Sequence, residues 1–177
     1  MVVAFDTDAL SLLLNPSAKP PNDPVTQKPI EKPKERMELL VEDLQKKRAR
    51  IAIPAPVLAE FLVLADEAGP DYLKIIDNNS SFDCAPFDAL AAIEAAASQR
   101  RAFAEGDKKS GAIGSWQKVK VDRQIVAIAK VLGADCLYTG DADVLNIARR
   151  DGVPTTALWD LPAPEAEVGV LPFGVEP

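Results

Sequence analysis

Apolar positions along the chain come in short blocks, each closed by a polar or proline-bearing stretch. Residues 2–5 (VVAF) form the first block, an apolar run of strand length, and Asp6-Thr7-Asp8 follows at once. Residues 9–14 continue as the apolar start of a helix. Thr7 or Asp8 is the expected N-cap, because a short side-chain oxygen there accepts from a free amide of the first turn. Residues 15–33 hold six prolines in nineteen positions and are expected to carry no regular structure. They read as an exposed excursion within a domain, since the segment before them is too short to fold alone. From 34 to 47 the spacing of Met37, Leu40, Val41 and Leu44 fits an amphipathic helix. Residues 50–53 read as a strand closed by Pro54. Residues 54–65 read as a helix with proline in its first turn, where the missing N–H would be unpaired anyway.

A helix over 70–76 and a short strand over 82–85 follow. Residues 88–103 are alanine-rich and helical, and end on the basic pair Arg100-Arg101. Residues 105–116 (EGDKKSGAIGSW), with three glycines and two lysines, read as a mobile loop. The last third is the clearest. Residues 120–132 predict a helix with Ile125, Ile128, Ala129 and Leu132 on one face, stopped by Gly133. A strand over 135–139 leads into Gly140-Asp141-Ala142-Asp143, then a helix to about 150 and a final strand over 154–158. The tail 162–177 contains four prolines and is expected to be extended.

Strands alternating with helices imply a parallel sheet covered on both faces. The expected fold is therefore a three-layer α/β/α domain over residues 1–161, with a central parallel sheet of four to five strands. The proline-rich insertion 15–33 lies within it and the tail 162–177 follows it. In such sheets ligands bind beyond the carboxyl ends of the strands.

Composition then narrows the chemistry. At 177 residues, with 47% hydrophobic and 27% charged residues, the chain suits one domain with a real core. No apolar run approaches the roughly 20 residues of a membrane span, and MVVAFD lacks the features of a secretory signal. Cys84 and Cys136 are isolated in apolar surroundings and are expected to be buried, reduced thiols, as in a cytoplasmic protein. There is no histidine. Its absence excludes Ser-His-Asp and Cys-His triads and histidine-ligated zinc, and two cysteines do not make a thiolate zinc site. The net charge of −7 argues against coating nucleic acid by bulk electrostatics. Carboxylates, lysine, hydroxyls or a hard metal ion must carry any chemistry.

The carboxylates are well placed for it. Asp6 closes the first strand and Asp141 lies just past the strand at 135–139, so neighbouring strands would aim both into one crevice. Asp143 follows on the same loop or first helical turn, and Asp122 opens a helix. Glu60 lies within an apolar helix between Leu58 and Phe61, where a charge requires a partner or a solvated cleft. Singly, Asp6, Asp141 and Asp143 also read as N-caps and Asp122 as a first-turn acid favoured by the helix dipole. Jointly they would repel one another. A divalent ion relieves that repulsion, and all-oxygen ligands favour Mg²⁺ or Mn²⁺.

The stretches Val3-Ala4-Phe5-Asp6-Thr7, Pro56-Val57-Leu58-Ala59-Glu60-Phe61 and Val121-Asp122-Arg123-Gln124-Ile125-Val126-Ala127, continued by Leu137-Tyr138-Thr139-Gly140-Asp141-Ala142-Asp143, resemble the PIN domain. That family comprises Mg²⁺-dependent nucleases and includes the VapC-type toxins of toxin–antitoxin pairs. The resemblance runs from residue 2 to about 158. It implies that Asp6, Glu60, Asp122 and Asp141 bind metal, that Asp143 assists, and that Thr139 is the hydroxyl preceding the last acid. It also implies a metal-dependent endoribonuclease with an RNA substrate, a homodimer and, for a toxin, an antitoxin that places a basic side chain among the carboxylates. Asp8 departs from the usual Ser, Thr or Asn and reads as an extra acid or an N-cap. The insertion 15–33 and the long gap between Glu60 and Asp122 also depart from a compact toxin.

Basic side chains must offset the acids for a polyanion to approach. Lys108, Lys109, Lys118, Lys120 and Arg123 are the expected backbone contacts. Trp116 either stacks a base or anchors its loop on the core. Two other functions compete. Asp6-Thr7-Asp8 and Gly140-Asp141 loosely resemble a haloacid-dehalogenase phosphohydrolase with Asp6 as nucleophile. However, Leu10 stands where that family has Thr or Val, and Glu60 and Asp122 are left without roles. The other is a catalytically idle module that binds RNA or protein.

Overall fold

The structure, a computed structural model, describes residues 1–164; the extended tail expected at 162–177 lies outside the described residues from 165 onward. The strands are β1 (Val2–Phe5), β2 (Arg50–Pro54), β3 (Phe82–Ala85), β4 (Cys136–Thr139) and β5 (Thr155–Ala157). The helices are α1 (Thr7–Leu14), α2 (Pro33–Lys46), α3 (Ala55–Ala65), α4 (Gly69–Asp77), α5 (Ala89–Ala104), α6 (Trp116–Val131) and α7 (Ala142–Asp151). The five strands form one sheet in the order β3-β2-β1-β4-β5, and every pairing is parallel.

Side chains of β1 and β4 alternate between two cores, as the two-residue period of a strand dictates. Val3, Phe5 and Tyr138 face one layer with Leu12, Met37, Leu40 and Leu44 of α1 and α2. Ala4 and Leu137 face the other, with Val57 and Phe61 of α3, Val119 and Val126 of α6 and Ile147 of α7. Val3, Ala4 and Phe5 are fully buried, which explains why β1 reads as an unbroken apolar run rather than an alternating one. α5 packs chiefly along α6. The chain thus forms three α/β/α layers. No helix among the described residues is long and apolar enough to cross a membrane.

Four local expectations need correction. Asp6, not Thr7 or Asp8, caps α1, because its extended backbone (φ −84°, ψ −175°) lets its carboxylate accept from Ala9 N–H. Helix α6 starts at Trp116 rather than 120; Ser115 accepts from Lys118 N–H and stops the preceding loop. Asp122 therefore lies well inside the helix instead of opening it. Segment 15–33 gives its last residue, Pro33, to the start of α2 and otherwise has no named element beyond a single Asn22–Pro29 bridge, yet Ile30 is buried in the α1–α2 core, which ties the excursion down. Finally, the thiols are not both buried. Cys84 is exposed because β3 is an edge strand, while Cys136 is partly covered beside Thr156.

Ile30→Ala should cost about 2 kcal/mol, the low end for an aliphatic truncation in a core, and make 15–33 the first site of proteolysis. Urea unfolding and limited digestion with proteinase K or with a glutamate-specific protease at Glu31 check both outcomes, since every lysine of the segment precedes a proline that blocks trypsin.

Candidate functional site

β1 and β4 are neighbours, and the chain departs from them toward opposite edges of the sheet. Beyond their carboxyl ends is the crevice where open parallel sheets bind ligands. Asp6 leaves β1 and Asp141 follows β4, as their positions in the sequence foretell. Asp6 is 3% exposed. Its Oδ1 accepts from Ala9 N–H at 2.8 Å, and its Oδ2 accepts from Gly140 N–H at 3.2 Å and from the Thr139 hydroxyl. Asp141 caps α7 through Asp143 N–H at 2.7 Å, and Thr139 also accepts from Asp141 N–H at 3.0 Å. Thr139 thus binds the two acidic loops together.

Helices α3 and α6 bring in the remaining acids. Glu60 is exposed on α3, and its Oε2 accepts from the Thr7 hydroxyl at 2.6 Å. Its surroundings are solvated rather than apolar, so the cleft, not burial among Leu58 and Phe61, explains its charge. Asp122 on α6 is 5% exposed. Asp6, Asp8, Glu60, Asp122 and Asp141 all line one cavity of about 530 Å³, whose walls include Ala59, Leu64, Val121 and Ile125. Asp8, read from sequence as an accessory or a cap, is a full member of this group.

Their crowding has an electrostatic signature. Burial, with Asp8 and Asp141 nearby, pushes the Asp6 carboxyl up to about 8 despite its hydrogen bonds. Burial, then Asp141 and Glu60, raise Asp8 to about 6. Burial raises Asp122 to about 6 although Lys118 pulls the other way. Lys118 reaches into the middle of the group. Its Nζ lies 2.5 Å from Asp141, 3.1 Å from Asp122 and 3.7 Å from Asp143. Burial opposes its charge, but the bonds to Asp141 and Asp122 outweigh that and raise its pKa. Lys118 was read as an RNA contact; it is instead an inner member of the acidic site. The signal was its i, i+4 spacing to Asp122, hidden by placing the helix start four residues late.

The loop before α6, which its glycines suggested would be mobile, is held by side-chain hydrogen bonds at several points. Asp143, 8% exposed, accepts from Ile113 N–H and Gly114 N–H, both at 2.8 Å, so its two oxygens hold the loop and it stays outside the cavity lining. Arg123 is 2% exposed and donates to Lys108 C=O at 2.8 Å and Ser110 Oγ at 2.7 Å. Its Nε and Nη1 find no partner among the described residues, and burial lowers its pKa. Arg123 is therefore a strut beneath the loop, and its burial removes it from the RNA contacts expected of it. Trp116 packs on the core beside Phe103, with Lys108 and Arg123 over its ring at 5.8 and 5.7 Å. It anchors the loop rather than offering a free face for a base. Lys109 donates to Gly114 C=O at 2.8 Å, while Lys108 and Lys120 are exposed.

The donor set is all oxygen, which suits Mg²⁺ or Mn²⁺. As the side chains stand, no group of three or more acidic or cysteine side chains among the described residues has the geometry to hold one metal ion. Two of the carboxylates converge on an ammonium instead. The residues fit a hard cation by chemistry and by location, with side-chain rearrangement required.

Two solved structures share this fold. A chain of the crystal structure of VapBC2 from Rickettsia felis bound to a DNA fragment from their promoter superposes with a TM-score of 0.57. It is 18% identical, over 89% of this chain and 98% of that one. A chain of the crystal structure of DNA-bound VapBC from Salmonella typhimurium gives 0.55 at 15% identity, over 89% and 98% respectively. No family model and no curated protein matches the sequence. With its five-stranded parallel sheet between helical layers, the fold is PIN-like.

A Cβ on Gly140 would meet Asp8 Oδ2 at 2.7 Å, Pro21 Cγ at 2.9 Å and Asp8 Cβ at 3.0 Å. Gly140→Ala should therefore cost about 1–3 kcal/mol by overpacking, read as a fall in Tm. Arg123→Met should release the loop, seen as faster hydrogen exchange at Ile113 and Gly114 with the sheet amides unchanged.

Proposed function

We propose that the chain is a divalent-metal-dependent ribonuclease that hydrolyses RNA phosphodiester bonds, and that it is the toxin of a toxin–antitoxin pair. The observation that carries this reading is the gathering of Asp6, Asp8, Glu60, Asp122 and Asp141 in one cavity at the sheet's switch point. The likeness to chains of two VapBC structures supports it.

Asp6 and Asp141 are the ligands the backbone holds most firmly, since each is also a helix cap. Asp122 and Glu60 would complete the set from the two helices on either side. Thr139 fixes Asp6 by donating its hydroxyl proton. A bound Mg²⁺ or Mn²⁺ supplies the Lewis acidity that acidifies water and neutralises phosphate charge. Asp8 lines the cavity and accepts no hydrogen bond among the described residues, so its carboxylate is the one free to take a proton from water. Lys108 and Lys120, both exposed, are the cations left to meet the RNA backbone. The phosphohydrolase reading, with Asp6 as nucleophile, is the weaker one because it leaves Glu60 and Asp122 without roles although both line the same cavity.

The partner follows from the same cavity. Leu64, Ala59 and Val121 stand at its walls above the acids, a surface suited to a peptide carrying apolar side chains and one basic group. An antitoxin of that kind would close the site.

Asp6→Asn or Asp141→Asn should reduce Mg²⁺-dependent cleavage of a cellular RNA pool to the level seen in EDTA, while the circular dichroism spectrum is kept. Cleavage retained in both variants would sink the proposed site. Lys108→Ala with Lys120→Ala should flatten the log–log salt dependence of RNA binding by about one unit per lysine. An unchanged slope would place the RNA path elsewhere. Expression of the chain alone should arrest growth, and co-expression of the product of the adjacent reading frame should relieve it. Growth unaffected by the chain alone would leave a stand-alone ribonuclease.

A further inference from the structure

Among the described residues, Lys118 is the one cation that lines the acidic cavity. It is set there rather than drifting there. Ser115 caps the helix that carries it, and Arg123 and Asp143 hold the loop in front. The pairing with Asp122 has the i, i+4 spacing of an ordinary surface pair, but Asp122 is buried and the second partner, Asp141, comes from the end of another strand. Lys118 forms no ion pair with Asp6, Asp8 or Glu60 among the described residues. The cavity is therefore divided. Asp122 and Asp141 share a resident ammonium, which also lies 3.7 Å from Asp143. Asp6, Asp8 and Glu60 have no ion-pair partner among the described residues, and Asp8 feels Lys118 only at longer range.

We propose that Lys118 is a built-in cation that competes with the divalent ion, holding the Asp122–Asp141 half of the site until an incoming metal displaces it. The inference rests on the reading of these carboxylates as a metal site. A divalent ion and an ammonium repel each other when both lie within a few ångströms of the same oxygens. Withdrawal of the ammonium is sterically simple: lysine has a flexible four-carbon stem, and this side chain is 42% exposed. Without a metal, Lys118 keeps the acids from repelling one another. With a metal, the freed ammonium turns toward solvent at the edge of the cavity. Lys118 thus acts as a positioning residue that sets how readily the site loads.

The test is calorimetric titration of Mn²⁺ into the full-length, metal-free protein, alongside Lys118→Met and Lys118→Gln. Near-UV circular dichroism establishes that each is folded. Gln keeps a donor for Asp141 and so guards against a Met variant that does not fold. Both variants should bind Mn²⁺ at least about tenfold more tightly than wild type, and their Tm in EDTA should fall while the rise on adding Mn²⁺ grows. Equal or weaker Mn²⁺ affinity in both variants, with wild type binding, would overturn the competition and leave the metal site standing. Absence of Mn²⁺ binding in wild type and both variants alike would overturn the metal-site reading and this inference together.

Discussion

Mutual repulsion among carboxylates is the constraint around which this structure is arranged. Five acids meet beyond the carboxyl ends of β1 and β4, and burial makes the charges of Asp6, Asp8 and Asp122 harder to sustain. A fold tolerates such a group only by supplying donors and a counter-charge. Backbone amides at the starts of α1 and α7, the Thr139 hydroxyl and the Lys118 ammonium do this work. The caps also explain why ordinary helix-starting residues can serve chemistry. The same carboxylate that ends a strand and starts a helix points into the crevice that a parallel sheet creates.

The second layer of support lies away from the acids. Arg123 and Asp143 grip the 108–114 loop from beneath and from the side, and Trp116 nails its end to the core. A buried guanidinium with two unpartnered nitrogens is costly, and its retention here is coupled to a loop that would otherwise be held by glycine-rich backbone alone. That loop leads directly into α6. Its conformation therefore fixes where Lys118 and Asp122 project, and a charge buried some distance from the cavity helps set the geometry inside it.

Much of this was legible in the chain itself. The strands, the order of layers and the parallel sheet follow from the spacing of apolar residues, because burial on both faces demands near-continuous apolar runs. That Asp6 and Asp141 would meet in one crevice was readable because the ends of neighbouring strands converge in such sheets whatever their loops do. The lack of histidine narrowed the chemistry to oxygen ligands by simple elimination. These conclusions depend on local pattern and on topology, both of which sequence carries.

Contacts between residues distant in sequence were decided only in three dimensions. Lys118 and Arg123 look alike as basic residues near Asp122, yet a difference of five residues on a helix turns one toward the acids and the other under the loop. Asp143 seemed a further ligand until its oxygens were found on Ile113 and Gly114, thirty and twenty-nine residues before it. Asp8 read as either an extra acid or a cap until Glu60 and Asp141 closed around it, and Gly140 gained its meaning from the approach of Asp8 and Pro21. The cluster of acids was thus determined by the sequence, while the cation that balances it was chosen by packing, because a side chain's partner depends on which surfaces the fold brings within a few ångströms.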